Sequence, residues 1–209
     1  MTRVVVVRHG QTHWNVEARI QGHGDSGLTE EGIAQAEAIA ARLAGEPCDV
    51  LISSDLGRAH ETARRIAARN GKPIILDSRF RERGFGVGEG MTYEELDRAY
   101  PGAFLRTGEI DPDLSTPGGE SRREFHSRVS QAFEDVASTH AGRNVIVVAH
   151  GGVLSSLYRH VHAVGFDAMK PIHIANASYN LLHHDGRAWT IETWSDTAHL
   201  DGAESFEEA

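Results

Sequence analysis

Val4-Val5-Val6-Val7, followed at once by Arg8-His9-Gly10, is a run of four β-branched residues with no polar side chain between them. A strand with one face in water alternates apolar and polar residues. A short run that is apolar at every position reads instead as a strand buried on both faces, as in a parallel sheet covered by helices. In open sheets of that kind, ligands gather at the carboxyl ends of the strands. This strand ends in a cation, an imidazole and a glycine. Gly10 lets a ligand come close to the backbone, and Arg8 offers a planar fork of donors suited to phosphate. His9 is a candidate nucleophile, base or anion donor.

The same event recurs along the chain. Asp49–Ser53 is a second apolar run, and it leads into Ser54-Asp55-Leu56-Gly57-Arg58. Pro73–Leu76 is a third, followed by Arg81-Glu82, and Val145–Ala149 is a fourth, followed by His150-Gly151-Gly152. Helical patterns lie between them. Thr29 caps a helix with Glu30 and Glu31 in its first turn and Ile33, Ala36, Ile39, Ala40 and Leu43 at helical spacing. Another helix follows Arg58 to about Asn70, where Gly71 is placed as the terminal glycine. Thr92 to Glu95 and Ser121 to Glu124 are capping boxes. Asp185-Gly186, between Ser178–His183 and Ala188–Trp194, is a hairpin turn signal. The alternation predicts an α/β fold: a doubly wound, mostly parallel sheet with helices on both faces. If the four buried strand ends lie side by side, they bring arginines, two histidines and a glutamate into one pocket. That set suits phosphoryl transfer, in which catalysis is largely positioning and charge stabilisation.

Composition narrows the partners. A formal charge of −9 over 209 residues argues against a nucleic-acid or membrane-surface binder, so a phosphorylated ligand requires locally concentrated positive charge. One cysteine, Cys48, excludes an internal disulfide and fits a reducing compartment, the cytoplasm. A single catalytic domain is expected over 1–200, with 201–209 as a mobile acidic tail. The thirteen histidines do not make a metal site: His160/His162 and His183/His184 lack a clean accompanying ligand set, so neither metal nor other cofactor is expected. Gly84–Gly90 only loosely follows a dinucleotide fingerprint and opens no helix. Arg122-Arg123 reads as a solvated helix start. Residues 103–119 have no period and read as an irregular lid.

The run Val-Val-Arg-His-Gly-Gln-Thr-His-Trp-Asn15 resembles the signature of the histidine phosphatase superfamily, which includes cofactor-dependent phosphoglycerate mutases. The resemblance continues through Arg19–Gly32, Ser53–Ala63, Arg81-Glu82, Pro117–Ser121 and Val148–Gly152. It implies a phosphoglycerate mutase-like fold and assigns roles residue by residue. His9 would accept the phosphoryl group as phosphohistidine. Arg8, Arg58 and His150 would form a cationic wall around the phosphoryl oxygens. Asn15 would donate its side-chain amide to the phosphate, with Gln21, Gly22 and Gly151 beside the same ligand. Glu82 would protonate the leaving alkoxide and then activate water. Asp55 and Glu89 compete for that role, and each also reads as a turn or loop residue.

A mutase and a phosphatase share such a site and differ in what attacks the phosphohistidine. Mutases of the phosphoglycerate type typically continue after the second histidine with Gly-Asn and carry a longer basic segment after the acid. Here His150 is followed by Gly151-Gly152, and residues 90–119 hold more acidic than basic groups. The resemblance therefore implies the shorter, phosphatase-type member, a phosphomonoesterase acting on small phosphorylated metabolites. Phosphate or sulfate is expected to occupy the pocket, and a homodimer is admitted. The alternatives are a phosphoglycerate mutase, a phosphohistidine-protein phosphatase with an open groove, and a phospholigand- or phosphoprotein-binding module with little turnover. Such a module could dispense with His9 or Glu82; this chain has both.

Overall fold

The valine run forms β1 (Thr2–Arg8), whose four valines have no exposed surface. The structure, a computed structural model, describes residues 1–101, 111–166 and 172–200. The expected tail at 201–209, and residues 103–110 of the expected lid, lie outside the described residues. Five further strands join β1 in one sheet: β2 (Val50–Ser53), β3 (Ile74–Leu76), β4 (Asn144–Ala149), β5 (Tyr179–His184) and β6 (Trp189–Asp196). Their order is β3-β2-β4-β1-β5-β6. The four strands read as apolar runs pair in parallel, and the hairpin β5–β6 adds an antiparallel edge beside β1.

Alternate residues of the central strands enter opposite cores. Val4, Val6, Val145 and Val147 face α5 (Arg122–Thr139) and α6 (Gly151–His162), meeting Phe125, Val129, Phe133, Leu154 and Leu157. Val5, Val7, Ile146 and Val148 face α2 (Glu30–Leu43) and α3 (Gly57–Asn70), meeting Ile39, Leu43, Ala63 and Ile66. Two apolar layers on one strand are why the run needs no polar alternation. The expected caps are present: Thr29 accepts from the Gly32 N–H, both capping boxes close, the first opening α4 (Tyr93–Ala99), and Gly71 ends α3 at φ 69°. Among the described residues, no helix is long and apolar enough to cross a membrane.

Three local readings change. The third run is no buried strand: among the described residues β3 is the sheet edge, paired only with β2, and Ile75 and Leu76 are each 50% exposed. The loop Gln11–Gly27 contains a short helix, α1 (His13–Val16), whose capping box is Thr12 with Asn15. Of Arg122-Arg123, Arg123 is exposed and pairs with Asp113, but Arg122 is half-buried.

The parallel register does for the site what sequence spacing alone cannot. Arg8 is level with Ala149, and Ser53 with Val148, so Arg8-His9, Ser53-Ser54 and Ala149-His150 leave the sheet side by side. The first turn of α2 presses onto this edge. A Cβ on Gly10 would overlap the Gly32 carbonyl, and one on Gly32 would overlap that of Gln11. Both positions are therefore closed to any side chain.

Candidate active site

His9 and His150 leave neighbouring parallel strands and meet edge to face, their ring centroids 5.1 Å apart. His9 is buried, and its Nδ1 lies 2.7 Å from the Gly10 carbonyl. A carbonyl only accepts, so Nδ1 carries the ring proton and Nε2 keeps its lone pair. Burial, with Arg58 and then Arg8 adding like-charge repulsion, holds the His9 imidazole well below its ordinary titration range. It is therefore neutral at neutral pH, the state in which an imidazole can attack phosphorus. Burial is the largest of these causes.

His150 is also fully buried and held well below its ordinary range, by burial first and then by Arg58, His9 and Arg8. That corrects the reading of it as part of a cationic wall: charge here comes from the two arginines, and His150 is a neutral imidazole. Arg8 gives Nη1 to the Ile174 carbonyl at 2.6 Å. Arg58 is buried and donates to the carbonyls of Gly22 and Gly24, each at 2.8 Å, and to Asp25 Oδ1 at 3.2 Å. Burial works against its charge, and the carboxylates of Glu82 and then Asp25 offset that.

Glu82 is reached through a 3₁₀ turn, Ser78–Phe80, rather than directly from a strand end. Its carboxylate accepts from the Arg83 N–H and the Gly152 N–H, both at 2.8 Å, the latter in the first turn of α6. Its carbonyl accepts from Arg128 and lies 3.0 Å from His23 Nε2. The competing carboxylates are committed elsewhere. Asp55 holds Arg81 through two bonds of 2.7 and 2.6 Å, which also keeps Arg81 out of the cavity lining. Glu89 accepts from the N–H groups of His23 and Phe85.

Arg8, His9, Gln21, Gly22, Arg58, Glu82 and Gly151 line one cavity with Arg19, Ile20 and Tyr93. Gln21 is buried and its Oε1 has no hydrogen-bond partner. Asn15 is not among the lining residues; its Oδ1 accepts from the Thr12 N–H at 3.0 Å, closing the α1 capping box. Among the described residues, no group of three His, Cys, Asp or Glu side chains could hold a metal ion. His160 pairs with Glu134 and His183 with Glu192.

Sequence reasoning did not find four supports of this site. Asp25 orients Arg58, and Arg128 ties the Glu82 and Arg81 carbonyls to Glu120. Ser54 Oγ meets His150 Nε2 at 2.8 Å. Asn176 donates to the His9 carbonyl at 3.0 Å, beside Ala177, which is held at φ 51° and donates to the same oxygen. No spacing rule points to Asn176, which lies far along the chain from His9. Asp25 and Ser54 stand inside the quoted motifs and drew no role.

The model of the histidine phosphatase superfamily, branch 1, matches residues 4–197. The phosphoglycerate mutase-like protein 4 of Arabidopsis thaliana is 40% identical over 95% of this chain and 86% of its own length. The metal-independent phosphoserine phosphatase of the same plant is 39% identical over 96% and 84%. Among solved structures, a mycobacterial glucosyl-3-phosphoglycerate phosphatase complexed with VO3 superposes with a TM-score of 0.82 at 32% identity. That match covers 93% of this chain and 99% of the other.

Proposed function

Because the chain belongs to the histidine phosphatase superfamily and is thus a phosphoryl-transfer enzyme, we propose that it hydrolyses small phosphomonoesters through a phosphohistidine on His9. The observation that carries this reading is the neutral His9, its Nδ1–H spent on the Gly10 carbonyl, in a cavity lined by the Arg8 and Arg58 guanidiniums and the Glu82 carboxylate. In the first half-reaction Nε2 attacks phosphorus and the P–O bond to the leaving group breaks. Arg8 and Arg58 balance the charge on the phosphoryl oxygens, and the Gly151 backbone lines the same space. Glu82, entering this step in its protonated form, gives its proton to the leaving alkoxide and becomes the carboxylate. In the second, water attacks phosphorus, Glu82 takes the water proton, and the N–P bond breaks to release orthophosphate.

Hydrolysis rather than mutase transfer is supported by the mouth of the cavity. Besides Arg8 and Arg58, the described cation there is Arg19, which already pairs with Glu17 at 2.8 Å and stands 3.7 Å from Glu95. Among the residues that line the cavity, no further cation is left to clamp a second phosphate or carboxylate. The likeness to two proteins named as phosphatases supports the same reading. The test is turnover across a panel of phosphomonoesters, in chelator, beside a mutase assay with and without bisphosphoglycerate. Release of phosphate from several small esters, abolished by His9→Ala in a protein that keeps its circular dichroism, is the expected result. Substantial turnover in that variant, or transfer without hydrolysis, overturns it.

A further inference from the structure

Ser54 and His150 have no exposed surface, and Ser54 Oγ stands 2.8 Å from His150 Nε2. The same Oγ accepts from the Leu56 N–H at 3.3 Å. A hydroxyl has one proton to give. With an amide directed at its oxygen, the acceptor left for that proton is the imidazole. A neutral histidine that accepts at Nε2 carries its own proton at Nδ1. His150 Nδ1 is buried and without a partner, a condition that costs free energy unless a ligand relieves it. The ring packs edge to face on His9, and the next residue, Gly151, lines the cavity.

We propose that Ser54 is a positioning residue whose hydroxyl fixes the tautomer of His150, so that Nδ1–H meets an oxygen of the phosphoryl group in transit at His9. The inference rests on the reading of this cavity as a phosphoryl pocket. The opposite tautomer would turn a lone pair toward anionic oxygens and leave the Ser54 proton without an acceptor. A neutral donor also suits its neighbours. Arg58, His9, Arg8 and His23 all face His150, and each disfavours a further positive charge there. In this chain Ser54 supports His150 while Arg58, four residues on in α3, supplies charge.

The direct test needs no substitution at Ser54. In phosphate-free wild-type protein with 15N-labelled histidine, long-range proton–nitrogen spectra distinguish a protonated ring nitrogen from a bare one. The His150 signals are identified by their absence in His150→Gln. Protonated Nδ1 and bare Nε2 are expected; the reverse pattern overturns the proposal. Ser54→Ala should then give a mixed or reversed tautomer and lose about 100-fold in kcat on an aryl phosphate, the low end of the loss of one donor to a transition-state oxygen. Ser54→Thr, which restores the hydroxyl, should recover the tautomer and most of the rate. An alanine variant with unchanged spectrum and rate also overturns the role. Because the spectrum is read on the resting protein, the two readings fail separately. A reversed tautomer in an active phosphatase removes only the role of Ser54, whereas the expected tautomer in a protein without turnover removes the phosphatase reading.

Discussion

The Glu82 carboxylate rests on the first turn of α6, where its Oε2 accepts the Gly152 N–H at 2.8 Å, and a Cβ at position 152 would overlap that carboxylate. Glycine is thus the residue that lets the carboxylate reach the helix end. Helix propensity alone favours alanine there by about 1 kcal/mol, and the overlapping atoms are the far end of a flexible side chain. Gly152→Ala should therefore fold with a melting temperature equal to or above that of wild type while displacing Glu82. A loss of about tenfold or more in kcat on alkyl phosphates is expected. Wild-type rates in a stable Gly152→Ala protein would show that the contact does not place the acid.

Glu82→Gln separates the acid role from mere substrate placement. An alkoxide leaving group needs a proton in the transition state, whereas p-nitrophenolate needs little help. The phosphorylation step should fall ~100-fold on an alkyl ester and only a few-fold on the aryl ester. Rapid-quench trapping of phosphohistidine isolates that step. Equal losses for both leaving groups would leave Glu82 with a positioning role.

His9 and His150 predict a particular pH dependence of stability. Both titrate well below the ordinary range in the folded protein, and an unfolded imidazole titrates near ~6.5. Below that pH the unfolded chain binds protons that the native state refuses, so stability is present above it and lost as pH falls. The slope is about 1.4 kcal/mol per pH unit for each histidine. Urea midpoints between pH 7.5 and 5.5 should fall with acidification, less steeply in His9→Gln and in His150→Gln. Parallel curves for the three proteins would contradict a neutral pair. The depressed carboxylates, Asp55 and Asp77 among them, lose their contribution only at lower pH.

Asp25 acts on Arg58 rather than on substrate. Its side chain is 42% exposed, so Asp25→Ala should leave thermal stability within about 1 kcal/mol of wild type. Arg58 keeps the Gly22 and Gly24 carbonyls but loses the carboxylate that fixes Nη1 and receives its backbone N–H. Activity on an aryl phosphate should drop roughly tenfold, with Asp25→Asn retaining more than Asp25→Ala. Identical activity in both variants and wild type would mean that the two carbonyls suffice to hold Arg58.

Much of this protein is legible in local sequence because local physics decides it. An unbroken β-branched run can be stable only between two apolar layers, so Val4–Val7 already implies the covered parallel sheet. Thr29, Thr92, Ser121 and Gly71 announce helix ends because the backbone groups they satisfy lie within four residues. The same locality explains the misreading of β3: Ile74–Leu76 is as apolar as the other runs, and nothing in three residues says that the sheet stops there. Arg8, His9 and His150 are recognisable as types at strand ends, and Arg58 and Glu82 as types in the segments that follow strands, but their working states belong to the tertiary structure. His9 and His150 are neutral because the assembled sheet and its helices exclude water from both rings. Asp25, Arg128, Ser54 and Asn176 act on partners distant in sequence, brought to them only by the assembled sheet and the helices packed on it. Sequence order carries the residues, while tautomer, charge state and support are set by which atoms the fold places within about 3 Å.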